Sequence, residues 1–131
     1  MPEPLSNYTV TVCRDFIANH YLIGGDWGAE NHPHAHHYRI EVRLSGRVLD
    51  RHGYLIDIDE ISEALETRIR NYRDRTLNDL PEFAAINPSL EHFARILCEG
   101  LAADIDIGRV ERMCVRLWEC ESAWAQYCLD G

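Results

Sequence analysis

Two long stretches in the first third of the chain alternate apolar and polar residues at the two-residue period of a β-strand. The first runs from Tyr8 to His20 and the second from His34 to Leu44. We expect two half-buried strands, joined by the glycine-rich segment from Tyr21 to Pro33. The apolar faces consist of Tyr8, Val10, Val12, Phe16, Ala18 and His20 in the first stretch, and of His34, His36, Tyr38, Ile40, Val42 and Leu44 in the second.

Two helical patterns follow these strands. Asp57 is placed to cap a first helix, with Glu60 in the position of a capping box. Asn87 and Pro88 are typical of the cap and the first residue of a second amphipathic helix. The apolar stripes are Ile58, Ile61, Leu65, Ile69 and Tyr72 in the first helix, and Leu90, Phe93, Ala94, Leu97 and Leu101 in the second.

Two more alternating stretches, Met113 to Glu119 and Ala123 to Leu129, end the chain. The order ββααββ predicts an α+β fold, with a four-stranded antiparallel sheet and two helices on one face. A chain of 131 residues suits one domain, residues 1–131. The outward row of the second strand is charged, so the far face of the sheet is either solvated or covered by another subunit.

Three histidines share the apolar faces of the first two predicted strands. If these strands pair as an antiparallel hairpin, His20 lies next to His34 and His36. Three imidazoles bind zinc and leave a fourth position open for water or substrate, as in catalytic zinc sites. His32 is a second candidate, but Pro33 indicates that the strand has not yet begun there.

Composition and the first residues limit which partners and which cellular compartment we expect. A net charge of −9 disfavours nucleic acid as a partner. The first six residues do not resemble a secretion signal, and no apolar run approaches membrane-spanning length, which predicts a cytoplasmic protein without a membrane partner. The five cysteines are odd in number and contain no Cys-x-x-Cys pair, which favours reduced thiols.

Short motifs along nearly the whole chain carry a family resemblance. They are Phe16-Ile-Ala-Asn-His20, His34-Ala-His-His-Tyr-Arg-Ile40, Asp74 with Leu77-Asn78, Pro88-Ser-Leu-Glu91, and Trp118-Glu-Cys-Glu-Ser-Ala-Trp-Ala-Gln-Tyr127. Together they resemble the superfamily of 6-pyruvoyltetrahydropterin synthase and 6-carboxytetrahydropterin synthase. The resemblance implies a tunnelling fold, in which subunits join their sheets into a barrel and stack as a hexamer, a dimer of trimers, with pterin pockets between subunits.

The resemblance also implies roles for individual residues. His20, His34 and His36 match the family's Zn²⁺ ligands, and Glu91 and Glu119 match its substrate-binding acids. A carboxylate such as Glu119 accepts two parallel hydrogen bonds from the amino group and ring N–H of a 2-amino-4-oxo heterocycle. Glu121 is a rival for Glu119 that fits the spacing to Tyr127 less well.

Two residues depart from the family pattern. The family's usual base is a cysteine before the His-x-His pair, held as thiolate by an Asp-His dyad, but Glu30 takes that place here. Some members with glutamate there cleave the dihydroneopterin side chain to leave 6-hydroxymethyldihydropterin. Arg75 follows Asp74 in place of the histidine and cannot relay a proton. Arg75 could pair with Glu30, bind an anionic substrate group, or form a local ion pair with Asp74.

These observations favour a zinc-dependent pterin lyase or synthase acting on 7,8-dihydroneopterin triphosphate or a related dihydropterin side chain. Glu30, Asp74, Arg75 and Glu119 are its candidate catalytic residues, and His37, His52 or His92 could supply a substitute imidazole. One alternative is a homologue that binds zinc and a pterin- or purine-like ligand without the synthase reaction. A structural zinc protein is less favoured, because three histidines lack the fourth ligand.

Overall fold

The computed structural model describes residues 7–131, and the expectation drawn from the first six residues lies outside the described residues. Within residues 7–131 the order is ββααββ, with three 3-10 turns at Gly28–Asn31, Leu77–Asp79 and Pro81–Phe83. The predicted α+β fold is confirmed. The elements are β1 (Tyr8–His20), β2 (His34–Gly46), α1 (Ile58–Arg70), α2 (Leu90–Asp104), β3 (Arg112–Cys120) and β4 (Ala123–Asp130).

The four strands form one antiparallel sheet in the order β1-β2-β3-β4. In the β1–β2 hairpin, Tyr8 pairs with Gly46 and His20 pairs with His34. This register places residues of the same face opposite each other, because side chains alternate along a strand. The inward rows of the two strands therefore merge into one apolar surface that ends in histidines.

Both helices pack on that apolar surface, and Phe93 of α2 lies at the centre of the contact. The ring centroid of Phe93 lies 5.9 Å from Phe16, 5.2 Å from Tyr38 and Tyr72, and 5.5 Å from Phe83. Each of these rings is almost fully buried. Burying a large side chain of this kind stabilises the fold by roughly 1.5–3 kcal/mol. The aromatic cluster thus supports the sheet directly beneath the histidine end of β1 and β2.

The predicted N-terminal cap is confirmed for α1 and is wrong for α2. Asp57 caps α1, since its carboxylate accepts from the N–H of Asp59. The predicted cap at Asn87 is wrong: α2 begins at Leu90, and the hydroxyl of Ser89 accepts from the N–H of His92. The carboxamide of Asn87 instead accepts from the N–H of Ile23, so this side chain serves the loop after β1.

A disulfide joins Cys114 of β3 to Cys128 of β4. These residues are direct cross-strand partners, and their Cα atoms are 4.1 Å apart. The expectation of reduced thiols is therefore wrong for this pair, because counting cysteines does not reveal strand register. Free thiols in the described part of the chain are those of Cys13, Cys98 and Cys120.

The outward face of the sheet is polar. Arg39, Glu41 and Arg43 of β2 point away from the helices, and Arg116 of β3 stacks on Trp124 of β4 with its guanidinium carbon 3.8 Å from the ring centroid. Among residues 7–131 no helix is both long enough and apolar enough to cross a bilayer.

Candidate functional site

The side chains of His20, His34 and His36 converge at the open end of the β1–β2 hairpin. Their ring centroids are 4.5–4.8 Å apart, and the nitrogen atoms available as ligands all lie within 4.8 Å of one another. His20 is 5% exposed, and the other two are half-buried. The predicted convergence is present, and it follows from the pairing of His20 with His34 and of Ala18 with His36. His32, the second candidate, is exposed and outside the cluster.

Two of the three rings are oriented by contacts at Nδ1. Nδ1 of His20 lies 3.1 Å from the hydroxyl of Tyr38, and Nδ1 of His34 lies 2.8 Å from the carbonyl oxygen of His32. Metal-binding histidines commonly use one nitrogen for such a contact and the other for the metal. The donor set therefore fits a zinc ion bound through Nε2 atoms, because zinc accepts imidazole nitrogen readily.

Nε2 of His36 supports this fit. The atom is buried and makes no hydrogen bond of acceptable geometry. Oε1 of Glu119 lies only 3.2 Å away, but the two groups are not aligned as donor and acceptor. Burying a polar atom without a hydrogen-bond partner costs free energy. A metal bound to Nε2 of His36 would supply the missing partner.

The surroundings of His20 favour its neutral form. Burial, with smaller contributions from the neighbouring His36 and His34, lowers the pKa of His20 from 6.5 to about 4, while the carbonyl of Pro88 acts in the opposite direction. Neutral imidazole keeps the lone pair that a metal needs. His20 is thus held in its ligating state near neutral pH.

Glu119 lies on a β-bulge at the end of β3. Trp118 pairs with Trp124 and Cys120 pairs with Ala123, so Glu119 has no partner on β4. The described β2–β3 pairing ends at Arg39 and Trp118. Bulges re-aim side chains and are common beside active sites. From the sequence, Glu119 was expected to continue the apolar row of β3. The bulge that sets the direction of its side chain was not predicted.

The carboxylate of Glu119 contacts the histidine cluster. Its Oε1 is 3.2 Å from Nε2 of His36 and 4.0 Å from Nε2 of His20. The side chain is 35% exposed, so solvent or a ligand reaches it. Burial raises the pKa of the nearby Tyr38 hydroxyl, and the charge of Glu119 raises it further, so this tyrosine stays protonated.

A cavity of about 580 Å³ opens beside Glu119 on the outward face of the sheet, and none of the three clustered histidines lines it. This volume is within the range of small-molecule sites, roughly 300–1,000 Å³. Glu121, the rival acid, lines the cavity but contacts none of the three clustered histidines within residues 7–131. Glu119 lines the cavity and also contacts His20 and His36. The other lining residues are Asp15, His37, Arg39, Trp118 and Cys120.

Three asparagines hold the loop after His20. The carboxamide of Asn78 accepts from the N–H of Tyr21 and donates to its carbonyl, and Asn87 accepts from the N–H of Ile23. Asn31 makes three hydrogen bonds to backbone atoms within the loop. Sequence reasoning assigned no role to Asn31 or Asn78 and predicted a helix cap for Asn87. The motif Leu77-Asn78 was a signal that could have indicated one of them.

Glu30 lies on the 3-10 turn of this loop. Its carbonyl accepts from the N–H of Leu22, which ties the turn to the residues after His20. The side chain of Glu30 is exposed and forms no hydrogen bond or ion pair within residues 7–131. The structure thus places Glu30 in the expected loop, with a carboxylate free to contact a ligand.

Asp74 and Arg75 lie beside the last residues of β1. The N–H of Asp74 donates to the carbonyl of Ile17, and the carbonyl of Arg75 accepts from the N–H of Asn19. Asp74 has a φ of 60°, a conformation uncommon for residues other than glycine. Within residues 7–131 Arg75 pairs with neither Asp74 nor Glu30, so neither of the ion pairs considered for it is formed.

The remaining candidates lie apart from the three-histidine cluster. His37 points to the opposite face of the sheet, and His52 is exposed beside Arg51. Nδ1 of His92 lies 2.8 Å from the carbonyl oxygen of Asn87. Glu91 is exposed in the first turn of α2 and forms no side-chain hydrogen bond or ion pair within residues 7–131.

Comparison with known proteins covers the whole fold. A 6-carboxy-5,6,7,8-tetrahydropterin synthase of Bacillus subtilis (strain 168) is 24% identical over 134 residues, which span 98% of this chain and 89% of the relative. Its name indicates a pterin-forming enzyme, although this degree of identity does not transfer its substrate.

Solved structures agree on the fold. The 6-pyruvoyl tetrahydropterin synthase of Caenorhabditis elegans superposes with a TM-score of 0.78 at 22% identity, covering 98% of this chain and 99% of that one. A Plasmodium vivax 6-pyruvoyltetrahydropterin synthase, in which a catalytic glutamate is replaced by alanine, gives a TM-score of 0.73 at 17% identity over 95% and 99%. The sequence profile of 6-pyruvoyl tetrahydropterin synthase matches residues 9–129, and the chain therefore belongs to that family.

Proposed function

We propose that the protein is a zinc-dependent pterin lyase or synthase that acts on 7,8-dihydroneopterin triphosphate or a related dihydropterin side chain. The observation that carries this proposal is the convergence of His20, His34 and His36 beside the half-exposed carboxylate of Glu119. Family membership supplies the pterin class of substrate.

His20, His34 and His36 are the residues that would hold zinc. When bound, the ion would act as a Lewis acid on side-chain oxygens of the dihydropterin and acidify the neighbouring C–H bonds. Tyr38 orients the ring of His20, and the aromatic cluster below it excludes water from the inner side of the site. A dry, fixed ligand set strengthens the electrostatic effect of the metal.

Glu119 is our candidate for recognition of the pterin ring. Its two oxygens can accept from the 2-amino group and the adjacent ring N–H in parallel. The cavity of about 580 Å³ on the outward face of the sheet has room for a bicyclic heterocycle, and Glu119 links it to the histidine cluster. Glu91, exposed at the start of α2, is proposed as a second substrate contact.

Glu30 is our candidate base for proton removal. It lies four residues before His34, on a loop that asparagine side chains fasten to the end of β1. A catalytic glutamate in the Plasmodium vivax relative supports this choice. A glutamate within hydrogen-bond reach of the substrate can take a proton when its pKa suits the task.

Arg75 and Asp74 are proposed to complete the catalytic set. Within residues 7–131 Arg75 has no ion-pair partner. Its carbonyl accepts from the N–H of Asn19, the residue before His20. A guanidinium in that position can bind a phosphate or carboxylate group of the substrate in bidentate fashion. Asp74 fixes the start of this segment on β1.

The proposed assembly follows the family resemblance. We propose a homohexamer, a dimer of trimers, in which neighbouring subunits cover the polar outward face of the sheet and complete the pterin pocket. The cytoplasm is the proposed location, and neither nucleic acid nor a membrane is a proposed partner.

A binding protein without synthase activity is the second candidate. The position of the family's cysteine holds Glu30, and Arg75 cannot relay a proton as histidine does. Such a protein would keep the zinc cluster and the Glu119 cavity and bind a pterin- or purine-like ligand.

Product analysis separates these two functions. Zinc-loaded protein is incubated with 7,8-dihydroneopterin triphosphate, and mass spectrometry tests for pyruvoyl, carboxy and hydroxymethyl products. Formation of one of them supports the enzyme. A ligand that binds without conversion supports the binder.

Glu30 is tested in the same assay by Glu30→Gln. The matched control is Glu63→Gln, which removes an exposed acid from α1. We expect the Glu30 variant to lose about 100-fold or more in rate, the lower range for general base catalysis. Full activity of Glu30→Gln would remove Glu30 from the mechanism.

A further inference from the structure

We infer that Glu119 is a fourth metal ligand as long as no pterin is bound, and that the pterin ring opens the metal centre by drawing this carboxylate away. The inference rests on the proposed function, since it requires a metal on His20, His34 and His36. It adds a second role for Glu119 and an order of events: the ring binds first, and the side-chain oxygens reach the metal afterwards.

The carboxylate of Glu119 lies close to two of the three candidate metal ligands. Two ligand atoms of a tetrahedral zinc with bonds of about 2.0–2.1 Å lie about 3.3 Å apart. Oε1 of Glu119 is 3.2 Å from Nε2 of His36 and 4.0 Å from Nε2 of His20. The first distance matches a tetrahedral edge, and the second requires a shift of less than 1 Å. The carboxylate thus lies beside two of the three histidines, and it is outside the group of ligand atoms within 4.8 Å of one another, so binding the metal requires it to move toward His34.

The contact is not a well-formed hydrogen bond that would explain it otherwise. Nε2 of His36 has no partner of acceptable geometry, although Oε1 of Glu119 is within 3.2 Å. This nitrogen is therefore left with a buried lone pair or N–H that a metal shared with Glu119 would satisfy. Within residues 7–131 no other carboxylate contacts a nitrogen of this cluster.

Glu119 also has the freedom to change partners. It is the extra residue of the β-bulge, so its backbone is outside the β3–β4 pairing. Its side chain lines the cavity and is 35% exposed. A carboxylate that accepts two N–H groups of a pterin ring cannot also bind the metal at full strength. Ring binding and metal ligation therefore compete for the same two oxygens.

The test uses the full-length protein with Co²⁺ in place of zinc and thiocyanate as the probe of an open metal position. Visible absorption of cobalt reports thiocyanate binding. We expect weak binding to wild type and binding stronger by about tenfold or more in Glu119→Gln, equivalent to at least about 1.4 kcal/mol. Glu121→Gln, which removes the neighbouring acid, is expected to behave as wild type.

A second arm needs no variant. Adding 6-methylpterin, whose side chain has no oxygen, to wild type is expected to strengthen thiocyanate binding by a similar factor. The inference would be overturned if the wild type bound thiocyanate equally well with and without 6-methylpterin. It would also be overturned if wild type and folded Glu119→Gln bound thiocyanate equally well. Such a result with one cobalt per chain leaves the proposed function standing, whereas a protein that binds no zinc or cobalt contradicts both.

Discussion

The carboxamide of Asn78 forms two hydrogen bonds with the backbone of Tyr21, accepting from the N–H at 3.0 Å and donating to the carbonyl at 2.9 Å. Tyr21 directly follows His20, so this contact fixes the chain where it leaves the metal cluster. Asn78→Ala should lower the free energy of unfolding by about 1–3 kcal/mol, because it leaves part-buried backbone groups without partners. Urea denaturation measures this loss.

Hydrogen exchange gives the local readout for the same variant. We expect faster exchange in the loop from Tyr21 to Pro33 in Asn78→Ala, because its anchor to β1 is lost. Asn71→Ala is the matched control, since Asn71 is exposed at the end of α1 and its side chain makes no hydrogen bond within residues 7–131. Unchanged exchange in the loop of Asn78→Ala would contradict the anchoring role.

Adjacent residues of β2 provide a matched test of the metal centre. His36 points into the histidine cluster, whereas His37 points to the opposite face. Wild type and His37→Ala should bind about one zinc per chain, and His36→Ala should retain little, because two imidazoles form an incomplete site. Elemental analysis of dialysed protein measures the ratio. Equal zinc content in the two variants would rule out the assigned site.

The lowered pKa of His20 gives the metal-free protein a dependence on pH. An unfolded chain binds a proton at His20 near pH 6.5, but the folded protein does so only at about pH 4. The free energy of unfolding should therefore be highest above pH 6.5 and fall as the pH decreases toward 4. The loss should reach about 3 kcal/mol, since each pKa unit corresponds to about 1.4 kcal/mol.

Urea denaturation in the presence of a chelator, at several pH values, measures this dependence. His20→Gln should remove it, whereas His37→Gln should keep it, because His37 is exposed. If His20→Gln and wild type lose stability equally between pH 6.5 and 4, the burial of His20 is not its cause.

The Cys114–Cys128 disulfide makes a separate prediction about stability. It closes a loop with a sequence separation of 14 residues. Constraining an unfolded chain over such a loop stabilises the folded state by about 3 kcal/mol. Reduction should lower the free energy of unfolding by about this amount, as measured by urea denaturation with and without a phosphine reductant.

The double variant Cys114→Ala, Cys128→Ala controls for other effects of the reductant. Its stability should not respond to reduction, whereas that of Cys120→Ala should respond as in wild type, because Cys120 is a free thiol. A wild type that is insensitive to reductant would show that this bond contributes no stability.

Alternation along the strands was sufficient to predict much of the architecture. The rows of β1 and β2 predicted that a hairpin would bring His20 next to His34 and His36, because alternation places all three histidines on one face, and the structure pairs His20 with His34. The cap of α2 was misplaced because two polar residues could serve: Ser89 caps the helix, while Asn87 binds the distant Ile23. Contacts of that kind depend on tertiary structure.

The details of the site were less accessible from sequence. The position of Glu119 against His36 depends on a bulge in β3, and the Cys114–Cys128 bond depends on the register of β3 with β4. Neither feature changes the alternation of apolar and polar residues, so neither can be recognised from that pattern in the sequence. The roles of Glu30 and Arg75 depend on a ligand and on neighbouring subunits.

The bulge at Glu119 has a consequence for how this protein could acquire new specificity. Because Glu119 is opposite no residue of β4, replacing its side chain removes no cross-strand pair. The cost of trying another side chain there falls on ligand binding rather than on folding. We expect variants at this position to fold while losing pterin binding, which makes it a starting point for redirecting the cavity toward other heterocycles.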